Sequence, residues 1–224
     1  MIGCTPWTLA CSKYTLGNSL DLLFIRIGGV RSRRWPFCQA ITTLIKTASK
    51  MSNEEKSPLN KLTYGMFRPG KSKQPCLKCK AAHARHMLPL ILYMFENIYF
   101  QEDNVGEVHL QTLNHCNDMY NSLYAWKETG STAARDSMVH HGRMFLILYE
   151  ELYNLAFTMK KYSHMWKWKP TFHHVDHILA EVFDHNPALL WNYRDESAIG
   201  EAVKVAENCH LNTIHRLDME RRMI

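Results

Sequence analysis

At 224 residues, with 46% hydrophobic and 21% charged side chains, the chain has the length for one domain with extensions or two small ones, and a globular composition. Seven cysteines at irregular spacings argue against a secreted disulfide framework and for reduced thiols inside a cell, nuclear or cytoplasmic. A net charge of +6, with thirteen histidines uncounted, suits an anionic partner, nucleic acid first, and no run approaches the ~20 apolar residues that span a bilayer, which excludes a membrane-spanning class.

Residues 1–50 hold one acid, Asp21, against seven Lys and Arg. This balance matches an organelle transit segment in composition, and equally a loosely attached extension. Gly28-Gly29, Trp35-Pro36, Ser57-Pro58, Arg68-Pro69-Gly70 and Gln74-Pro75 punctuate the first 75 residues. Leu22–Ile27 reads as a lone strand, and Gln39–Met51 as a short helix with Ile41, Leu44, Ile45 and Ala48 on one face. The expected organisation is a largely irregular or disordered extension over 1–72 and a helical domain over 73–224.

From residue 76 the pattern turns helical. A long helix is predicted over 76–102, with Pro89 removing one backbone donor inside it. Residues 105–128 place Val105, Val108, Leu113, Cys116, Tyr120, Leu123 and Trp126 at helical spacing, with Asn104 as cap and Gly130 as stop. Ser131 or Thr132 opens a third helix to about Lys161, whose apolar Met144–Leu148 stretch is expected at the buried centre. Trp166, Trp168 and Pro170 mark a linker, residues 171–184 a shorter helix, Asn186-Pro187 a turn, and 194–221 a last helix. The fold class is therefore mainly α, an irregular bundle of about five helices with a poorly structured N-terminal extension.

Four constellations have chemical potential. Cys76, Cys79, His83 and His86 suit Zn²⁺ in number and type, but one helix face cannot wrap four ligands into a tetrahedron, so zinc requires the cysteines in a loop before the helix. The alternative is two small packed thiols beside a solvated basic face. His173 and His177, four apart, share one helix face away from Phe172, Val175 and Leu179, and are either two metal ligands or solvated. Asp195 and Glu196 open the last helix, where acids are favoured by the helix dipole and Asn192 or Asp195 serves as a cap, or where a carboxylate pair holds Mg²⁺. Trp166, Lys167, Trp168 and Lys169 alternate aromatic and basic side chains, which either stack on bases and touch phosphates or cap the bundle end with lysine stems over tryptophan. Walker, G-x-G-x-x-G, G-x-S-x-G and H-E-x-x-H motifs are missing from the sequence.

The stretch Leu77–His86, then Lys169-Pro170-Thr171-Phe172-His173 with His177, then Asn186-Pro187 and Trp191–Glu196 follow one another in an order that resembles the C-terminal region of large DDE-type transposase reading frames of mobile elements. The resemblance covers roughly residues 75–224. It implies that Glu196 or Asp195 matches the acid that the last helix adds to an RNase H-like, two-Mg²⁺ core. Such a core takes its other acids from strands, and residues 1–75 offer no convincing strand with an acid at its end. The implied protein is a truncated or degenerate copy that binds nucleic acid weakly and lacks a complete catalytic centre. A metal-binding helical module or enzyme built on His173 and His177 with Asp195 or Glu196, and a helical protein-interaction scaffold, are the alternatives.

Overall fold

The computed structural model describes residues 7–26, 34–51, 62–67, 74–79, 81–97, 103–181 and 186–187. The described residues form seven α-helices, a 3-10 turn at Lys160–Tyr162 and no strand, so the fold is mainly α, as the periodicity predicts. The helices are α1 (Trp7–Arg26), α2 (Arg34–Met51), α3 (Tyr64–Phe67), α4 (Ala81–Asn97), α5 (Asn104–Thr129), α6 (Thr132–Thr158) and α7 (Pro170–Glu181). All lie in one compact unit, Trp7–Leu189, so residues on both sides of the boundary expected near 72 pack together. The helix expected over 194–221 and the end of the one expected over 171–184 lie outside the described residues.

The α5–α6 hairpin follows the sequence closely. Val105, Val108, Leu113, Cys116, Tyr120, Leu123 and Trp126 are all buried. The cap lies one residue before the predicted one: Asp103 has extended backbone and accepts the Gly106 N–H at 2.7 Å. Gly130 ends α5 at φ +66°, a left-handed conformation that glycine adopts without a Cβ clash, and its N–H closes on the Trp126 carbonyl. Ser131 in extended conformation then admits α6.

Three expectations need correction. Leu22–Ile27 is not a strand, because Leu22–Arg26 complete α1. Residues 15–24 are buried on every face, and a helix surrounded on all sides shows no amphipathic stripe to read. For the same reason α1, not α6, is the centre of the unit. It packs on α4, α5 and α7, and Ile147 within Met144–Leu148 is 57% exposed. Finally, the helix predicted from residue 76 begins at Ala81, since residues 74–78 run as irregular chain bonded to other elements. Pro89 sits inside α4 on its exposed side, where a missing donor is least costly.

The core gathers Leu16, Leu20, Leu23 and Phe24 of α1 with Met87, Ile91 and Phe95 of α4, Phe145, Tyr149 and Leu152 of α6, and Phe172 and Val175 of α7. Each such side chain contributes about 1.5–3 kcal/mol on burial. α1 also carries Thr15, Asn18, Ser19 and Asp21 into this core, and they are hydrogen-bonded, as burial demands. Asn18 donates to the Tyr149 hydroxyl at 3.3 Å and accepts the Trp166 N–H at 3.4 Å. Ser19 donates to the Thr15 carbonyl, and Asp21 bonds His164 Nε2 at 2.8 Å.

Candidate nucleic-acid interface

The chain between α6 and α7 turns back over the bundle, and its four aromatic and basic residues do not act alike. Trp166 is fully buried, with its ring edge-on to those of His109 and Tyr162. It is the one non-glycine residue at positive φ among those described, at 47°. Such backbone costs on the order of 1 kcal/mol, which the enclosed indole offsets. A buried indole offers no face to a base, so Trp166 is withdrawn from the predicted stacking set. Trp168 is 42% exposed and rests on Phe172 at 5.4 Å, leaving surface open to solvent. Lys167 and Lys169 are half-buried, and the Lys169 carbonyl accepts the Phe172 N–H at the entrance to α7.

The segment before α4 is drawn to the same place. Gln74 donates to the Tyr149 hydroxyl at 2.8 Å, and the Tyr149 ring lies 4.1 Å from Phe172. Cys76 donates its N–H to Phe67, Leu77 to Lys13 and Lys78 to Met66, so the segment is pinned between α1 and α3. The close approach requires Gly17, where an added Cβ would lie 2.5 Å from the Cys76 nitrogen.

This packing gathers Lys13 of α1, Lys78 of the segment and Lys169 of the α7 approach around Cys76. Burial pushes the Cys76 thiol up from its ordinary value, and the three ammonium groups pull it partly back. Cys79 is raised to about 11 by burial, with Lys13 opposing and Cys76 reinforcing. Both are protonated thiols near neutral pH and poor nucleophiles. Among the described residues none of the three lysines pairs with a carboxylate. Lys13 falls in a region read only for its composition, and nothing in the sequence links it to residues more than sixty positions away. Lys78 reads there as part of a solvated face.

The cysteines do precede the helix, the arrangement zinc requires. His83 and His86 lie on α4, but their side chains are outside the described residues. His173 and His177 lie on the exposed face of α7, as predicted, with their Nε2 atoms 3.0 Å apart. His177 also approaches Glu181 at 3.9 Å. No group of three or more His, Cys, Asp or Glu among the described residues is arranged to hold a metal ion. Asp195 and Glu196, the predicted Mg²⁺ ligands, lie outside the described residues.

One contact resembles a nucleophile and its base. Ser19 Oγ and His109 Nε2 are 2.9 Å apart, both fully buried. The single Ser19 proton goes to Thr15, so His109 donates through Nε2, and its Nδ1 has no partner. An activated serine needs the reverse: a bare Nε2 facing it and an orienting group on Nδ1. The pair is a core hydrogen bond. No family model matches the chain, and no curated protein or solved structure shows significant similarity to it.

Proposed function

We propose that the chain is a helical nucleic-acid-binding unit of mobile-element origin that works by binding rather than by a complete catalytic centre of its own. The observation that supports the binding reading is the convergence of Lys13, Lys78 and Lys169, from three separate elements and, among the described residues, without a paired carboxylate, beside the exposed ring of Trp168. Lysines set the register on phosphates, and an open aromatic face stacks on an unpaired base, so single-stranded nucleic acid is the substrate class that uses both. The origin rests on the order of short motifs from Leu77 to Glu196.

Fluorescence polarisation with labelled single-stranded oligonucleotides over a salt series tests the reading. Each phosphate contact adds about 0.7 to the slope of log affinity against log salt, so a K13A/K78A/K169A variant should flatten it by roughly 2. Trp168→Ala should weaken binding by about 1–3 kcal/mol with the slope unchanged, circular dichroism verifying the fold. Absence of binding at low salt, or an unchanged slope in the triple variant, refutes the proposal. For the origin, a Mg²⁺-dependent strand-transfer assay should detect no activity; activity abolished by Glu196→Ala would establish a catalytic centre instead.

A further inference from the structure

α5 and α6 share the most extensive helix–helix contact among the described elements, and one edge of their seam is polar. His115, Asp118 and Ser122 follow one another along α5 at helical spacing, all half-buried. Across the seam, Ser122 Oγ and Ser137 Oγ are 3.0 Å apart. Two turns farther from Gly130, His115 Nδ1 and His141 Nδ1 are 2.9 Å apart. The His140 ring stands 5.2 Å from His141 and 6.3 Å from His115.

A bond between two imidazole nitrogens needs one N–H and one bare nitrogen. It forms when both rings are neutral, and also when the pair carries one extra proton. A second extra proton places two N–H groups nose to nose, two cations in contact and His140 beside them. The groups that bear on His115 are His141 and His140, which disfavour its charging together with burial, and Asp118, which favours it. Burial is the largest of these, and the balance holds His115 below its ordinary value.

We infer that His115 and His141 form an acid-opened clasp on the α5–α6 hairpin, which holds the polar edge of the seam closed and releases it when both imidazoles become protonated. The clasp lies on different residues from the proposed nucleic-acid surface and stands independently of that reading.

Side-chain NMR titration of the full chain tests it, with H115Q and H141Q as partners that keep a donor and an acceptor but cannot charge. In the wild type His115 should titrate below the ordinary histidine range, its titration coupled to its neighbour across the seam. In H141Q, His115 should collapse to one step nearer that range. Amide exchange at residues 115–119 and 137–141, corrected for intrinsic rate, should rise from about pH 7.5 to 5.5 at least about fivefold more in the wild type than in the H115Q/H141Q double variant, which keeps the His109 contribution. Independent single-step titrations unmoved by substitution of the neighbour, or an equal rise in the double variant, would overturn the inference. If the double variant does not fold at neutral pH, the two single-variant titrations decide the matter.

Discussion

Two buried glycines separate what a single residue contributes. At Gly17 a Cβ would meet the backbone of Pro75 and Cys76 at 2.5–2.7 Å. That backbone is held by bonds to Phe67 and Lys13 and has nowhere to move. At Gly142 the nearest atoms a Cβ would meet belong to the Leu179 side chain, its methyls at 2.6 and 2.7 Å. Leucine turns to another rotamer, and alanine regains about 1 kcal/mol of helix propensity over glycine. Gly17→Ala should therefore lower stability by roughly 2 kcal/mol or more, as overpacking against fixed atoms does, and Gly142→Ala by less than about 1. Urea unfolding of both variants checks the order; equal losses would mean that residues 74–79 yield as easily as a side chain. Neither glycine is marked in the sequence, because the need for each arises from a chain segment distant in number. Trp166 was illegible for a related reason. Alternation with lysine suggests exposure, but the left-handed turn at 166 sends one tryptophan inward and leaves the next outside.

At the scale of elements, legibility follows environment. α5 is wet on one face and dry on the other, so its spacing, stop and buried face are legible in the sequence, and only the cap differs, Asp103 in place of its neighbour Asn104. Residues 15–24 of α1 are dry all round with four polar residues satisfied inside, so neither period nor polarity identifies the helix in the sequence. The two helices meet at Asp103. Its Oδ1 accepts the Gly106 N–H at 2.7 Å and the Arg26 guanidinium at 2.6 Å, tying the last turn of α1 to the first turn of α5. The carboxylate is about half exposed, so the ion pair itself is worth little and the cap carries most of the effect. Asp103→Asn keeps an acceptor and should cost a few tenths of a kcal/mol. Asp103→Ala should cost about 1 kcal/mol, and a loss equal to that of the asparagine variant would assign the effect to charge instead.

Across the whole molecule, the unusual property is an interior that resists protons. His109 sits at the meeting of α1, α4 and α5, its ring against Phe95 and Trp166, with burial and then the Arg26 charge holding it down to about 3. In the unfolded chain the same imidazole takes its proton near 6.5. Above 6.5 both states are neutral there and the residue has no pH dependence. As pH falls from 6.5 to about 3 the unfolded state is protonated and the folded state is not, so stability drops throughout that window and levels off below it. Each pH unit corresponds to about 1.4 kcal/mol, or roughly 5 kcal/mol over the window, comparable with the whole stability of many domains. His109→Gln keeps a donor for Ser19 but cannot charge. Urea unfolding between about pH 7.5 and 4 should show the wild type losing stability more steeply than H109Q below 6.5, with a constant difference between them above it. Parallel curves would place the acid sensitivity outside the core, in which case the seam between α5 and α6 is the next group of histidines to substitute.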